Sequence, residues 1–270
     1  MRGHRLAVWG DPIAHSKSPA LHTAAYRALD VPWEYDLRRV PADGFTEALS
    51  GLDRSWRGLS LTMPLKEQAF LAARTRDPHA ELTGAVNTLL LGDDVAGFNT
   101  DVGGIIDALA ENAITEVRSA RILGAGATAA SALAALAELG ASRIDLRARR
   151  PERAAGLAAL GERLGCITTV SPMTDPVDGA DVTIATLPSG TVLDAPVAEA
   201  FAGDGGALLD AAYAPWPSAL GLAWENGPVI SGIRMLLHQA VRQVRIFHHG
   251  DPLEALPDEG RVLAAMEAAI

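Results

Sequence analysis

The run Arg121-Ile122-Leu123-Gly124-Ala125-Gly126-Ala127-Thr128-Ala129 reads as a short apolar strand, a tight turn and the start of an alanine-rich helix. In that context a G-x-G-x-x-A turn holds a pyrophosphate. The glycines let the backbone come close to the phosphates, and the helix start turns its amide N–H groups toward them. The same letters elsewhere mark an ordinary turn before a helix. Here the strand before, the uninterrupted helix after and a second strand at the expected spacing favour the nucleotide reading. The turn lies past residue 120 of a 270-residue chain, so a separate body of sequence precedes it.

A chain of 270 residues builds one large or two modest domains. Hydrophobic residues make up 49% and aromatics only 5%, so Ala, Leu and Val form the core and the chain is not disordered. The formal net charge of -10 argues against non-specific nucleic-acid binding, though a local basic pocket can still hold a phosphate. Cys166 is the sole cysteine, which excludes an intrachain disulfide and a Cys-rich metal site. The stretch after Met1-Arg2-Gly3-His4-Arg5 is ended by Gly10-Asp11-Pro12, too soon for a signal sequence. No window carries 18 consecutive apolar residues. The expectation is a soluble cytoplasmic protein with no membrane partner. No metal is expected either. The histidines lack ligand spacing, His248 and His249 read as facing different ways, and His15 and His22 read as capping or packing residues.

Leu6–Trp9, Trp33–Leu37 and Leu59–Thr62 read as strands, and Pro19–Leu29 and Phe45–Leu52 as helices. Ser18 is a plausible N-cap, with Pro19 at the first helical position. Ala85–Leu91 and Val95–Phe98 flank Gly92-Asp93-Asp94 as a hairpin, and Ile105–Asn112 is helical. After Gly124 the chain alternates: helix Ala129–Leu139, strand Arg143–Arg147, helix Pro151–Leu164, strand Val182–Thr186, strand Ala207–Asp210 and a short strand at Pro228-Val229-Ile230. That alternation predicts a parallel, doubly wound sheet. Helices follow at Ile233–Phe247 and Gly260–Ala269. The expected architecture is α/β: an N-terminal α/β substrate domain (1–102 with 235–270) and a Rossmann-type doubly wound dinucleotide-binding domain (103–234).

The residues after the second strand choose the cofactor. An enzyme that uses NAD usually places an acid at that strand's tip for the ribose 2′-hydroxyl. Asp145 has roughly that spacing, but it sits inside the strand between Ile144 and Leu146. The tip is Arg147-Ala148-Arg149-Arg150-Pro151, with Arg153 close behind. Guanidinium groups bind a 2′-phosphate through charge-assisted bonds, so NADP is expected.

Four segments before the turn gather hydroxyls, amides, a lysine and an aspartate. His15-Ser16-Lys17-Ser18-Pro19 places two hydroxyls two residues apart on a strand-to-helix loop suited to one anion. In Gly58-Leu59-Ser60-Leu61-Thr62-Met63-Pro64-Leu65-Lys66, Ser60 and Thr62 share a strand face and Lys66 follows the proline stop. Gly84-Ala85-Val86-Asn87-Thr88 and Gly97-Phe98-Asn99-Thr100-Asp101 put amides and hydroxyls at strand ends. Taken singly, Lys66 reads as a solvated surface lysine and Asp101 as the N-cap of a helix from Val102.

In this order, ahead of a dinucleotide turn, the segments resemble the shikimate dehydrogenase family. Its H-S-x-S-P, G-x-N-V-T-x-P-x-K, A-V-N-T, G-x-N-T-D and G-A-G-G-A patterns are largely present. Asp210-Ala211-Ala212-Tyr213-Ala214-Pro215 resembles its D-x-x-Y-x-P, and Gly232 to Ala240 resembles its G-x-x-M-L-x-x-Q-A. The likeness runs collinearly over nearly the whole chain. It departs at Ser60, where Asn is usual, at Thr23, at Ala127 in place of the third glycine, at Ala148 and Arg150 in the usual N-R-T loop, and at Pro217-Ser218.

The resemblance implies an NADP-dependent oxidoreductase that reversibly reduces 3-dehydroshikimate to shikimate, as a monomer or homodimer. It implies that Ser16 and Ser18 bind the substrate carboxylate. Ser60, Thr62, Asn87, Asp101 and Gln239 are implied as ring contacts, with Tyr213 near the substrate and nicotinamide. Lys66 and Asp101 are implied as the catalytic pair. Gly124, Ala125, Gly126, Ala127 and Gly232 are implied to hold the cofactor, with Arg149, Arg150 and Arg153 at its adenosine phosphate. Two other readings stay open at this point: a quinate- or shikimate-oxidising paralogue that uses NAD, and a non-catalytic NADP-binding sensor.

Overall fold

In the computed structural model, residues 3–203 and 206–270 are described. The expectation for the chain's first two residues lies outside them. The chain divides into two compact units, Met1–Thr100 with Gln239–Ile270, and Asp101–His238.

In the first unit the elements are β1 (Arg5–Gly10), α1 (Ser18–Ala28), β2 (Glu34–Arg39), α2 (Phe45–Ser50), β3 (Trp56–Leu61), α3 (Lys66–Ala72), β4 (Thr75–Arg76), α4 (Pro78–Thr83), β5 (Thr88–Leu90) and β6 (Ala96–Phe98). Helix α5 (Thr100–Ala110) starts at the unit's last residue. The sheet order is β2-β1-β3-β5-β6-β4. Strand β1 runs parallel to β2 and β3, while β5 is antiparallel to both β3 and β6. Those directions have a consequence for function. The C-terminal ends of β1, β3 and β6 and the N-terminal end of β5 share one edge of the sheet. Beneath it Trp9, Phe45, Leu59, Leu61, Leu65 and Leu89 form a buried core.

The second unit holds β7 (Ser119–Leu123), α6 (Ala127–Glu138), β8 (Arg143–Arg147), α7 (Ala155–Arg163), β9 (Ile167–Ser171), β10 (Val182–Ala185), α8 (Ala195–Gly203), β11 (Ala207–Asp210), α9 (Ala219–Ala223) and β12 (Val229–Ser231). All its strand pairs are parallel, in the order β12-β11-β10-β7-β8-β9. Read from β9, this is the doubly wound order whose direction of progression reverses between β7 and β10, and ligands bind at such a switch point. Helix α10 (Gly232–His249) passes from the second unit into the first, where α11 (Glu259–Glu267) follows.

Several elements differ from the sequence expectation. Strand β9 and helices α3, α4, α8 and α9 are not among the expected elements; α3, α4 and α9 run seven, six and five residues, too short for a helical repeat to show. Strand β9 (Ile-Thr-Thr-Val-Ser) lies at the sheet edge, with Ile167 exposed. The segment from Pro151 is a 3-10 turn before α7 begins at Ala155. Ser18 is the first residue of α1 and does not cap it; Lys17 holds the cap position and no side chain bonds there. Asp101 lies inside α5, not before it. His248 and His249 do not face apart: their ring centroids are 4.4 Å from each other. Among the described residues no helix is long and apolar enough to cross a membrane.

Candidate active site

At the shared edge of the first sheet, the loop after β1 carries Ser16 and Ser18. The Ser16 amide donates to the Ile13 carbonyl (3.0 Å), and the Ser18 amide donates to the Ser16 hydroxyl (3.3 Å). Ser18 is buried and Ser16 half-buried. Thr62 directly follows β3; its amide donates to the Trp9 carbonyl (3.0 Å), fixing it beside the end of β1. The Leu61 amide donates to the Asn87 carbonyl (2.7 Å), which ties β3 to the start of β5.

Asn87 is buried. Its Nδ2 donates to Thr100 Oγ1 (2.9 Å) and to Gln239 Oε1 (3.4 Å), and its Oδ1 accepts from the Thr100 amide (2.9 Å). The Val86 amide, one residue earlier, donates to the Lys66 carbonyl (3.0 Å). The backbone of Lys66, at the start of α3, is therefore anchored to the same strand end as Asn87 and Thr100. Asp101 follows Thr100 directly and is 5% exposed. The first unit thus brings Ser16, Ser18, Thr62, Lys66, Asn87 and Gln239 to one edge of a single sheet.

Ser60 is different. It is 3% exposed, and its hydroxyl donates to Gln243 Oε1 (2.8 Å) while accepting from the Tyr35 phenol (2.7 Å). Gln243 donates to the Asn87 carbonyl (3.2 Å) and to Thr88 Oγ1 (3.0 Å). His22 bonds Gln243 Oε1 (3.1 Å) and the Tyr26 hydroxyl (3.1 Å), and its ring stacks on Tyr35 at 4.0 Å. Burial holds the His22 imidazole at a pKa of about 3, against the Gln243 bond that raises it, so the ring is neutral at pH 7. Burial likewise pushes the Tyr35 phenol up. Sequence reasoning missed Tyr35 and Gln243 and gave His22 only a packing role. Tyr35 lies on a strand and Gln243 on a helix, and nothing local in the sequence links them.

In the second unit, Gly124 has φ +120, a conformation few side chains tolerate, and a Cβ there would strike Thr186 Oγ1. Its amide donates to the Arg147 carbonyl (2.8 Å). Gly126 sits at the N-cap of α6, no side chain caps that helix start, and open space surrounds its Cα. Ala125 and Ala127 are half-buried on either side. Such a helix start, with its amide donors uncovered, matches the needs of a pyrophosphate. Arg149, Arg150 and Arg153 are exposed beyond the tip of β8.

Asp145 and Arg147 do other work. Asp145 accepts from Arg121 Nε (3.1 Å) and from Arg147 Nε (2.8 Å), and Arg121 is 1% exposed. Arg147, buried, also donates to the carbonyls of Pro172, Asp175 and Pro176, fastening the segment after β9. Asp145 is thus held within the sheet by two arginines. Gly232 is buried where a Cβ would strike the carbonyls of Ala211 and Asp210, so close packing demands glycine there. Tyr213, half-buried, lies just past β11, and burial raises its phenol pKa. A cavity of about 110 Å³ opens at the C-terminal ends of β10 and β11, lined in part by Leu187, Pro188, Thr191, Asp210 and Ala212.

Comparison with known proteins gives the family. Residues 8–89 match the model of the shikimate dehydrogenase substrate binding domain. A shikimate dehydrogenase (NADP(+)) of Methanothermobacter thermautotrophicus is 36% identical over 94% of this chain and 95% of its own. The crystal structure of Mycobacterium tuberculosis shikimate dehydrogenase superposes with a TM-score of 0.83 at 38% identity, covering 98% of this chain and 99% of that one. A shikimate 5-dehydrogenase from Thermus thermophilus, solved in complex with NADP(H) and shikimate, superposes with a TM-score of 0.80 at 30% identity, covering 99% of this chain and 100% of that one. On this likeness over nearly its full length, the chain belongs to the shikimate dehydrogenase family.

Proposed function

We propose that the chain is an NADP-dependent shikimate dehydrogenase that interconverts 3-dehydroshikimate and shikimate in the cytoplasm. The first unit binds the hydroxylated acid and the second binds the dinucleotide. One observation carries the reading: Ser16, Ser18, Thr62, Lys66 and Asn87 come from separate segments whose strand ends share one edge of the first sheet, where Asn87, Thr100 and Gln239 bond one another.

Each group has a chemical task. Ser16 and Ser18, beside the start of α1, donate to the carboxylate. Thr62, Asn87 and Gln239 read the ring hydroxyls, and the second unit contributes Tyr213 to the substrate. Gly124, Ala125, Gly126, Ala127 and Gly232 form the close backbone that receives the dinucleotide, with Arg149, Arg150 and Arg153 at its 2′-phosphate. The bound dinucleotide supplies the hydride chemistry. The protein's part is the proton. Lys66, as an ammonium, donates a hydrogen bond to the substrate's carbonyl oxygen, offsets the negative charge that grows there and delivers the proton. Asp101 is the second member of that proton-handling pair.

Removing a positioned proton donor costs roughly 10²–10⁴-fold in rate. Lys66→Ala is therefore expected to lower kcat by about that factor while both Michaelis constants stay near wild type. Steady-state kinetics at 340 nm reads this directly, and a near-normal turnover number would remove Lys66 from the reaction.

A further inference from the structure

We propose that Tyr35 and Ser60 are positioning residues that form a hydroxyl relay behind the carboxylate subsite. In this arrangement Ser60 acts through its neighbours and not as a direct ring contact. The inference rests on the function proposed above and adds to it residues at the back of the same subsite.

The relay is continuous. The Ser18 hydroxyl bonds the Tyr35 phenol oxygen, the phenol donates to Ser60 (2.7 Å), and Ser60 donates to Gln243 (2.8 Å). Gln243 then holds the Asn87 carbonyl and Thr88, at the strand end that carries the ring-binding amide. Ser18, Tyr35, Ser60 and Gln243 are all buried. A hydroxyl has one proton and two acceptor sites, so every hydroxyl in the chain can turn its proton either way. That freedom matters because Ser18 has a single proton. When Ser18 donates to a carboxylate, its oxygen turns purely acceptor toward Tyr35. The phenol then donates to Ser18 and accepts from Ser60, and Gln243 Oε1 keeps its bond to His22 (3.1 Å). A donor behind Ser18 polarises its O–H bond and strengthens the bond to the anion. A phenylalanine could fill the same space against His22, but it could not supply that donor. The ring-to-ring stacking at 4.0 Å fixes where the phenol oxygen sits.

While Ser60 bridges Tyr35 and Gln243 its single proton is committed, so it has none to donate to a ring hydroxyl. It lies two residues before Thr62, on the same strand face. Before a carboxylate binds it links Tyr35 to Gln243, and when Ser18 turns to the carboxylate the Ser60 proton turns from Gln243 to Tyr35.

The test is a two-residue cycle on the full-length protein: Tyr35→Phe, Ser60→Ala and the double variant. The reaction is shikimate oxidation with NADP, and thermal melting checks the fold. Tyr35→Phe keeps the ring that packs on His22, so the fold is retained. KM for shikimate should rise about three- to tenfold, the worth of one neutral hydrogen bond. Turnover and KM for NADP should change less than about twofold, a split that general loosening of the fold does not give. In the double variant KM should exceed the worse single variant by less than about twofold, because both changes cut one chain. An unchanged KM for shikimate in Tyr35→Phe, or effects that multiply in the double variant, would overturn the relay. Wild-type protein that fails to oxidise shikimate at all would instead overturn the proposed function, and the relay's role with it.

Discussion

The turn after β1 and the turn after β7 both carry the chain from a parallel strand into a helix, yet they offer a ligand different chemistry. The first presents side chains: Ser16 and Ser18 stand on the loop, and Ser18 is backed by Tyr35, Ser60, Gln243 and His22. The second presents bare backbone: Gly124 at φ +120, and Gly126 with open space around it. The network behind Ser18 is buried and carries no formal charge, its hydroxyls and amides locked by one another. The second takes its charge from Arg149, Arg150 and Arg153, which stand in solvent beyond β8. A small hydroxylated acid demands directional donors with no freedom to turn away. A dinucleotide phosphate demands close backbone and positive charge, which tolerate more movement.

If the difference is real, acid should damage the first region before the second. His22 is neutral in the folded chain, with its pKa lowered from 6.5 to about 3 by burial. As pH falls through 6.5 the unfolded chain takes up this proton and the folded chain does not. Stability contributed by the neutral ring is therefore present above pH 6.5 and is lost on the way down to about 3. Over that window the slope approaches that of one proton taken up on unfolding. Chemical denaturation across a pH series measures it. His22→Asn should flatten the slope in the upper part of the window, above the carboxylate range. An unaltered slope would mean that His22 does not limit the first unit.

A smaller effect separates the two acid-and-arginine sets of the second unit. Arg149→Ala with Arg150→Ala should raise KM for NADP about ten- to a hundredfold and leave KM for NAD within about twofold, since two charge-assisted bonds to the 2′-phosphate are lost. Asp145→Asn is the matched control. Its carboxylate serves Arg121 and Arg147, so the substitution should lower the melting temperature while the NADP-to-NAD ratio stays as in wild type. Equal losses for both cofactors in the arginine variant would show that these arginines do not read the phosphate.

The second unit's strand–helix alternation and its glycine turn were legible because both are local. A strand of Ile and Leu, a G-x-G and a run of alanines lie within a few residues of one another. Strand β9 was not legible, since its threonines and serine sit at an edge where half-polar sequence suffices. In the first unit the strand-end residues could be picked out from their segments. The network behind them could not: Tyr35 and Ser60 are 25 positions apart, and Ser60 and Gln243 are 183 apart. Asp145 shows the converse case. Its mid-strand position excluded a ribose contact, but its real partners, Arg121 on β7 and Arg147 two residues on, appear only when the strands are laid side by side.

The central claim is that the first unit's sheet edge binds shikimate while the second unit's arginines favour NADP. Absorbance at 340 nm tests it directly, with shikimate or quinate each paired with NADP or NAD. Shikimate with NADP should give the highest kcat/KM of the four pairs. A higher value for quinate or for NAD, or no absorbance change with any pair, would contradict the account.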